Sequence, residues 1–165
     1  RIHPQNYGLS DESKRLKFFQ LSDNTGHSSF AAAEEHADDN PVPAESSMTE
    51  CDVIQFDEAT KRLSLPHPAT PSWITKIDVE GYEMKVLFGM TDALSHKAFK
   101  GICIELFKDN LSLCGTSIEQ IDDLLRSYGY QQIPNRSIEH DPAGRNHNAF
   151  YVPADLEIGG QCFPE

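Results

Sequence analysis

Between Trp73 and Leu87 an apolar, β-branched run meets a helical one, with one glycine and three carboxylates, Asp78, Glu80 and Glu83, at the joint. Trp73–Val79 reads as a buried strand, and Glu83–Met90 reads as a helix in which Tyr82, Val86 and Met90 recur at helical spacing beside Leu87. Gly81 supplies the tight strand-to-helix turn and Gly89 is expected to end the helix. A strand that ends in carboxylates and turns through glycine into a helix is what an open α/β sheet offers at the carboxyl ends of its strands. That crevice is where such sheets place ligands.

The flanking segments repeat the alternation. Leu16–Leu21 and Cys51–Phe56 read as strands, Asp57–Leu63 as a short helix with acids first and bases last, and Asp92–Phe99 as another helix. Pro66, Pro68 and Pro71 keep the chain extended before Trp73. Gly101–Phe107 is a strand interrupted by one carboxylate, Glu105. Thr116-Ser117-Ile118-Glu119 has the form of a capping box, and Ile118, Ile121, Leu124, Leu125 and Tyr128 mark one face of the helix it opens. Gly129 stops that helix, and Tyr130–Pro134 and Asn148–Pro153 follow as an antiparallel pair. The pattern predicts an α/β domain with an open, mostly parallel sheet and an antiparallel last strand. It occupies residues 1–153, with a mobile acidic loop at 31–50, helical at most over Ala31–Ala37, and a tail at 154–165.

A net charge of −12 with scattered basic residues argues against nucleic acid or an anionic membrane as partner, and no apolar run is long enough to span a bilayer. The four cysteines, Cys51, Cys103, Cys114 and Cys162, form no C-x-x-C pair, and the seven histidines show no metal spacing. A reduced, cytoplasmic protein acting on a small molecule is expected.

The run from Lys76 to Gly89 resembles the signature of the FkbM-type methyltransferases. The surroundings agree: Leu9-Ser10-Asp11 before a strand, Gly26–Phe30, a strand ending near Asp57, an apolar strand ending in Glu105, the helix closing at Tyr128-Gly129, and His147–Pro153. The resemblance implies a class I methyltransferase (Rossmann-like) fold, a seven-stranded sheet with its last strand antiparallel. It further implies S-adenosylmethionine as methyl donor and a hydroxyl of a sugar or other small metabolite as acceptor. The family builds its cofactor site on two earlier strands, with a glycine-rich turn after the first, and no G-x-G between strand and helix occurs here. The chain is therefore expected to be the carboxyl-terminal part of a longer enzyme, with no cofactor-binding residue assigned. The alternative is a non-catalytic α/β module that binds a metabolite or a protein partner.

Methyl transfer to a hydroxyl needs in-line positioning and a group that takes the proton. Asp78, at the carboxyl end of its strand, is the expected proton acceptor. Glu80 is expected to receive substrate hydroxyls or, with Asp78, to hold a divalent cation, although no metal site is assigned. Glu83 and Glu105 are expected to bind the acceptor. Against these roles stand capping of the following helix by Glu80 or Glu83, and a structural pairing of Glu105 with Lys76. His27-Ser28-Ser29 is a further candidate for the acceptor pocket.

Overall fold

The described strands fall into two sheets. In the computed structural model, which describes residues 2–21, 46–65, 70–133 and 146–156, the larger sheet holds β4 (Trp73–Ile77), β5 (Phe99–Phe107), β7 (Asn146–Pro153) and β6 (Tyr130–Ile133) in that order. β4 and β5 are parallel, and β7 is antiparallel to both β5 and β6. Hence β4, β5 and β6 share one direction and only the last strand opposes them. The smaller sheet, ordered β1 (Gly8–Leu9), β3 (Ser46–Ile54), β2 (Lys14–Leu21), pairs β1 parallel and β2 antiparallel to β3. The architecture is α/β, and both sheets are mixed.

Five helices complete the described residues: α1 (Phe56–Arg62), α2 (Glu83–Phe88), α3 (Thr91–Ser95), α4 (Lys108–Leu113) and α5 (Ile118–Ser127). In β5 the side chains alternate, with Ile102, Ile104 and Leu106 buried and Cys103, Glu105 and Phe107 half-buried on the other face. The buried face meets Val86, Leu87 and Met90 around α2, Leu94 of α3, Leu111 of α4, and Ile121 and Leu125 of α5 in one core. Each such side chain contributes about 1.5–3 kcal/mol by leaving water.

The predicted elements need several corrections. β4 is not buried throughout but alternates, with Ile74 79% exposed, because the face with Trp73 and Ile77 packs on the core while the face with Ile74 and Lys76 points outward. Ser46–Glu50, assigned to a loop by composition, lies in β3 and pairs with β2. The remainder of the predicted loop, the Ala31–Ala37 helix, His27-Ser28-Ser29, Pro66 and Pro68 lie outside the described residues. The capping box sits one residue later than predicted: Ser117 accepts from Gln120 N, Gln120 Oε1 accepts from Ser117 N, and the Thr116 hydroxyl donates to Leu111 O. β1 and α4 are elements that the sequence pattern does not announce.

Asp57 joins the two parts of the chain. Its backbone N donates to Gly89 O at 3.1 Å. Its carboxylate turns away from α1 and accepts from the N–H groups of Asp92 and Ala93 at 2.8 and 3.0 Å, capping α3 across a long stretch of chain. Ser10 N donates to Ile54 O, and Lys85 on α2 pairs with Asp11 at 2.9 Å, so the smaller sheet is held against the end of α2. No helix among the described residues is long and apolar enough to cross a membrane.

Candidate active site

The parallel pairing of β4 with β5 sets Lys76 level with Cys103 and Ile77 level with Ile104. Asp78 and Glu105 therefore follow one another on adjacent strands and on the same outward face. Side chains two apart on a strand share a face, so Lys76 joins them. Its Nζ donates to Asp78 Oδ2 and lies 3.9 Å from Glu105 Oε2. The pairing of Glu105 with Lys76, the alternative to a binding role for Glu105, is present, and Lys76 serves both carboxylates. Cys103, between Lys76 and Glu105 on this face, has its Sγ 3.9 Å from Asn148 Oδ1.

The electrostatics follow from this arrangement. The hydrogen bond from Lys76 holds the Asp78 carboxyl below its ordinary value of 3.8, and partial burial opposes this without overcoming it. The same bond raises the Lys76 ammonium above 10.5. At neutral pH this corner presents an ionised Asp78 beside a charged lysine, with the Asp78 side chain 37% exposed to solvent.

The turn that follows is left-handed at two successive residues, Glu80 (φ 52°) and Gly81 (φ 101°). Glycine adopts such a φ freely, whereas Glu80 must be held there. A Cβ at Gly81 would lie 2.5 Å from Asn110 O, so the turn also needs glycine for lack of space. Glu80 is half-buried, and its Oε2 accepts from Asn110 Nδ2 at 2.7 Å.

Glu83 lies beneath this turn rather than on its open side. It is 2% exposed, and its Oε1 accepts from the N–H groups of Val79 and Gly81 at 3.3 and 3.2 Å, while Oε2 is buried with no hydrogen-bond partner among the described residues. It thus caps the turn and not α2, whose N-cap residue Tyr82 makes no side-chain cap. Burial pushes the Glu83 carboxyl above 4.5, and the turn's own amides pull it back in part. In the window above 4.5 the folded chain holds a proton that the unfolded chain releases, so stability falls as pH rises through it. Glu83→Gln should flatten this fall in urea unfolding from pH 4.5 to 7.5. A variant that loses stability as steeply as the wild type would remove Glu83 as its source.

Of the four predicted carboxylates, the structure brings Asp78 and Glu105 together, sets Glu80 on the adjoining turn, and turns Glu83 inward. Asn110, which the sequence reading did not select, is the residue that reaches Glu80. No motif marks it; only the fold brings it to the turn. Among the described residues no group of three or more His, Cys, Asp or Glu side chains is arranged to hold a metal ion. Two clefts of about 470 and 460 Å³ lie elsewhere, one lined by His96, Lys97 and Asp155 and one by Tyr7, Arg15 and Phe18. Neither contains the carboxylates, so chemistry rather than cavity size locates this site.

Comparison with known proteins adds three findings. The Methyltransferase FkbM domain matches residues 3–131. Hexuronic acid methyltransferase AglP of Haloferax volcanii is 36% identical over 98 residues, which cover 59% of this chain and 34% of that protein, so the match spans about a third of the relative's length. No solved structure matches the chain. With the family's domain matching residues 3–131, most of this chain, and the strand, turn and helix of the Lys76–Gly89 signature in place, the chain belongs to the FkbM methyltransferase family.

Proposed function

We propose that this chain forms the acceptor side of an S-adenosylmethionine-dependent O-methyltransferase acting on a sugar or other small hydroxylated metabolite. The observation that carries this reading is the Lys76–Asp78–Glu105 cluster at the carboxyl ends of two parallel strands, in a chain of the FkbM family. S-Adenosylmethionine would supply an electrophilic methyl group. The residues described here do not fit its adenosyl part: the strand-to-helix turn offers one glycine among three carboxylates, and no glycine-rich turn occurs. A segment outside this sequence is proposed to hold the donor within a class I sheet, in which three co-directional strands and an opposing last strand have a natural place.

On the acceptor side, carboxylates suit hydroxyl groups because an ionised carboxylate only accepts hydrogen bonds. As the acceptor oxygen gains a methyl group, its O–H becomes strongly acidic, and a carboxylate already bonded to that hydrogen takes the proton as the new bond forms. Asp78 fits this role because Lys76 keeps it ionised and in place. Glu105, on the same lysine, orients Asp78 or a neighbouring hydroxyl, and Glu80 receives a further hydroxyl from the rim of the turn.

The test is transfer of labelled methyl from S-adenosylmethionine by a longer chain containing these residues and the donor-binding segment. Methyl β-D-glucuronide and methyl β-D-glucoside serve as acceptors, the first suggested by the name of the hexuronic acid methyltransferase relative. Transfer to either supports the reading, and preference for the glucuronide narrows the acceptor to a hexuronate. Binding of a glycoside without transfer would favour the second reading, a non-catalytic module, which the missing glycine-rich turn also favours.

A further inference from the structure

We infer that Asn110 is a positioning residue that aims the Glu80 carboxylate, an inference that rests on the proposed role of Glu80 in receiving the acceptor. Glu80 lies in a backbone conformation that side chains other than glycine's rarely adopt, followed by a second left-handed residue, Gly81. Such a conformation persists only where the surroundings fix it. Two contacts with Asn110 do so. The Asn110 side-chain amide donates to Glu80 Oε2 at 2.7 Å, and its backbone carbonyl packs so closely on Gly81 that a Cβ there would lie 2.5 Å away.

Both contacts come from one residue of α4, which follows β5 without a break. Glu105 lies near the end of that strand, so the run from Glu105 to Asn110 sets the place of Glu80 relative to Glu105 and, through Lys76, to Asp78. The Asn110 backbone is itself held: its carbonyl accepts from Cys114 N, and the neighbouring Leu111 is fully buried in the core. An amide is the apt donor for this task. It fixes one carboxylate oxygen through a single N–H and, carrying no charge, leaves Glu80 negative toward an acceptor hydroxyl.

Two measurements test this. In the first, carbon-detected NMR follows titration of the Glu80 side chain in this chain and in Asn110→Ala. Loss of a donor to the ionised form should raise the midpoint by about 0.5 unit or more, and Asn110→Asp should raise it further. An unchanged midpoint in a cooperatively melting variant overturns the inference; if alanine does not fold, Asn110→Leu, which keeps the shape and removes the donor, gives the same reading. The second uses the longer enzyme with the glycoside acceptors. Asn110→Ala should lower kcat/KM by about tenfold, and this loss should vanish in a Glu80→Gln background. An equal loss in both backgrounds would mean that Asn110 acts on the fold alone. Should the wild type transfer no methyl while the Glu80 midpoint still follows Asn110, the methyltransferase reading falls and the positioning stands. Transfer with an unmoved midpoint decides the other way.

Discussion

Asp78→Asn is expected to lower methyl-transfer turnover by about 10²–10⁴-fold, the usual contribution of a placed proton acceptor, while leaving the fold intact. The two halves of this expectation have separate grounds. Asparagine keeps the shape of the side chain and a carbonyl oxygen for Lys76, but it cannot take up the acceptor's proton. The fold is spared because the ion pair is solvent-facing, with Lys76 and Asp78 55% and 37% exposed. After solvent screening such a pair is worth on the order of 1 kcal/mol or less. Lys76 also keeps Glu105 within 3.9 Å. The measurement is kcat of the longer enzyme with saturating acceptor, alongside its melting temperature. Loss of turnover at nearly constant melting temperature supports the assignment, and wild-type turnover would remove Asp78 from the chemistry. The acid side of the pH profile gives a second check. With its carboxyl held below 3.8, Asp78 stays ionised through the neutral and mildly acidic range. Its own contribution to stability is likewise present above 3.8 and lost only as pH falls through the lowered value.

The strand, turn and helix around Gly81 were legible because each signal is local. β-Branched residues, one glycine and a helical recurrence of Tyr82, Val86 and Met90 lie within a short window, and all three of those side chains are buried. The antiparallel last strand was legible for a similar reason, since Asp141-Pro142-Ala143-Gly144-Arg145-Asn146 between the two strand patterns reads as a turn and not as a helical crossover. The capped helix was legible only to within one residue. Thr116 with Glu119 and Ser117 with Gln120 both satisfy the pattern, and what decides between them is that the Thr116 hydroxyl is engaged with Leu111 O. Helix α4 was not legible: its six residues bury only Leu111, too little for a periodic signal.

The site divides along the same line. The carboxylates announced themselves by type and by place on their strands, but their directions did not. Glu83 turns under its own turn, Asp57 leaves its helix to cap another, and Glu80 is reached by a residue thirty positions away. The last two depend on backbone that the fold brings together from afar, and the first on a left-handed turn at Glu80 and Gly81 whose direction periodicity does not announce. Sequence periodicity carries no trace of such contacts.

Gly89→Ala is expected to be the most damaging single-methyl addition at a described glycine of ordinary backbone. Gly89 closes α2 in an ordinary right-handed conformation, φ −77° and ψ −4°, which alanine adopts without strain. The obstacle is space: a Cβ would lie 2.0 Å from Ser10 O and 3.3 Å from Gln55 Cα. Neither neighbour is free to yield. Ser10 is fully buried and bonded to Ile54 O, and Gly89 O accepts from Asp57 N, next in sequence to Phe56, whose ring packs on Trp73 and Phe99. Overpacking against soft side chains costs about 1–3 kcal/mol, and backbone on both sides puts this site at or above the upper end. At about 2–4 °C per kcal/mol for a chain of this size, the melting temperature should fall by roughly 6–12 °C. Gly101→Ala is the control, because a Cβ there meets nothing within 4 Å, and it should melt close to the wild type. If the two variants melt alike, the smaller sheet does not dock on the end of α2 as described. If Gly89→Ala alone is destabilised, the close approach of Ser10 to Gly89 belongs, with the Lys85–Asp11 pair and the Asp57 N–Gly89 O bond, to the contact that sets β1 and β3 against the helix carrying the candidate site.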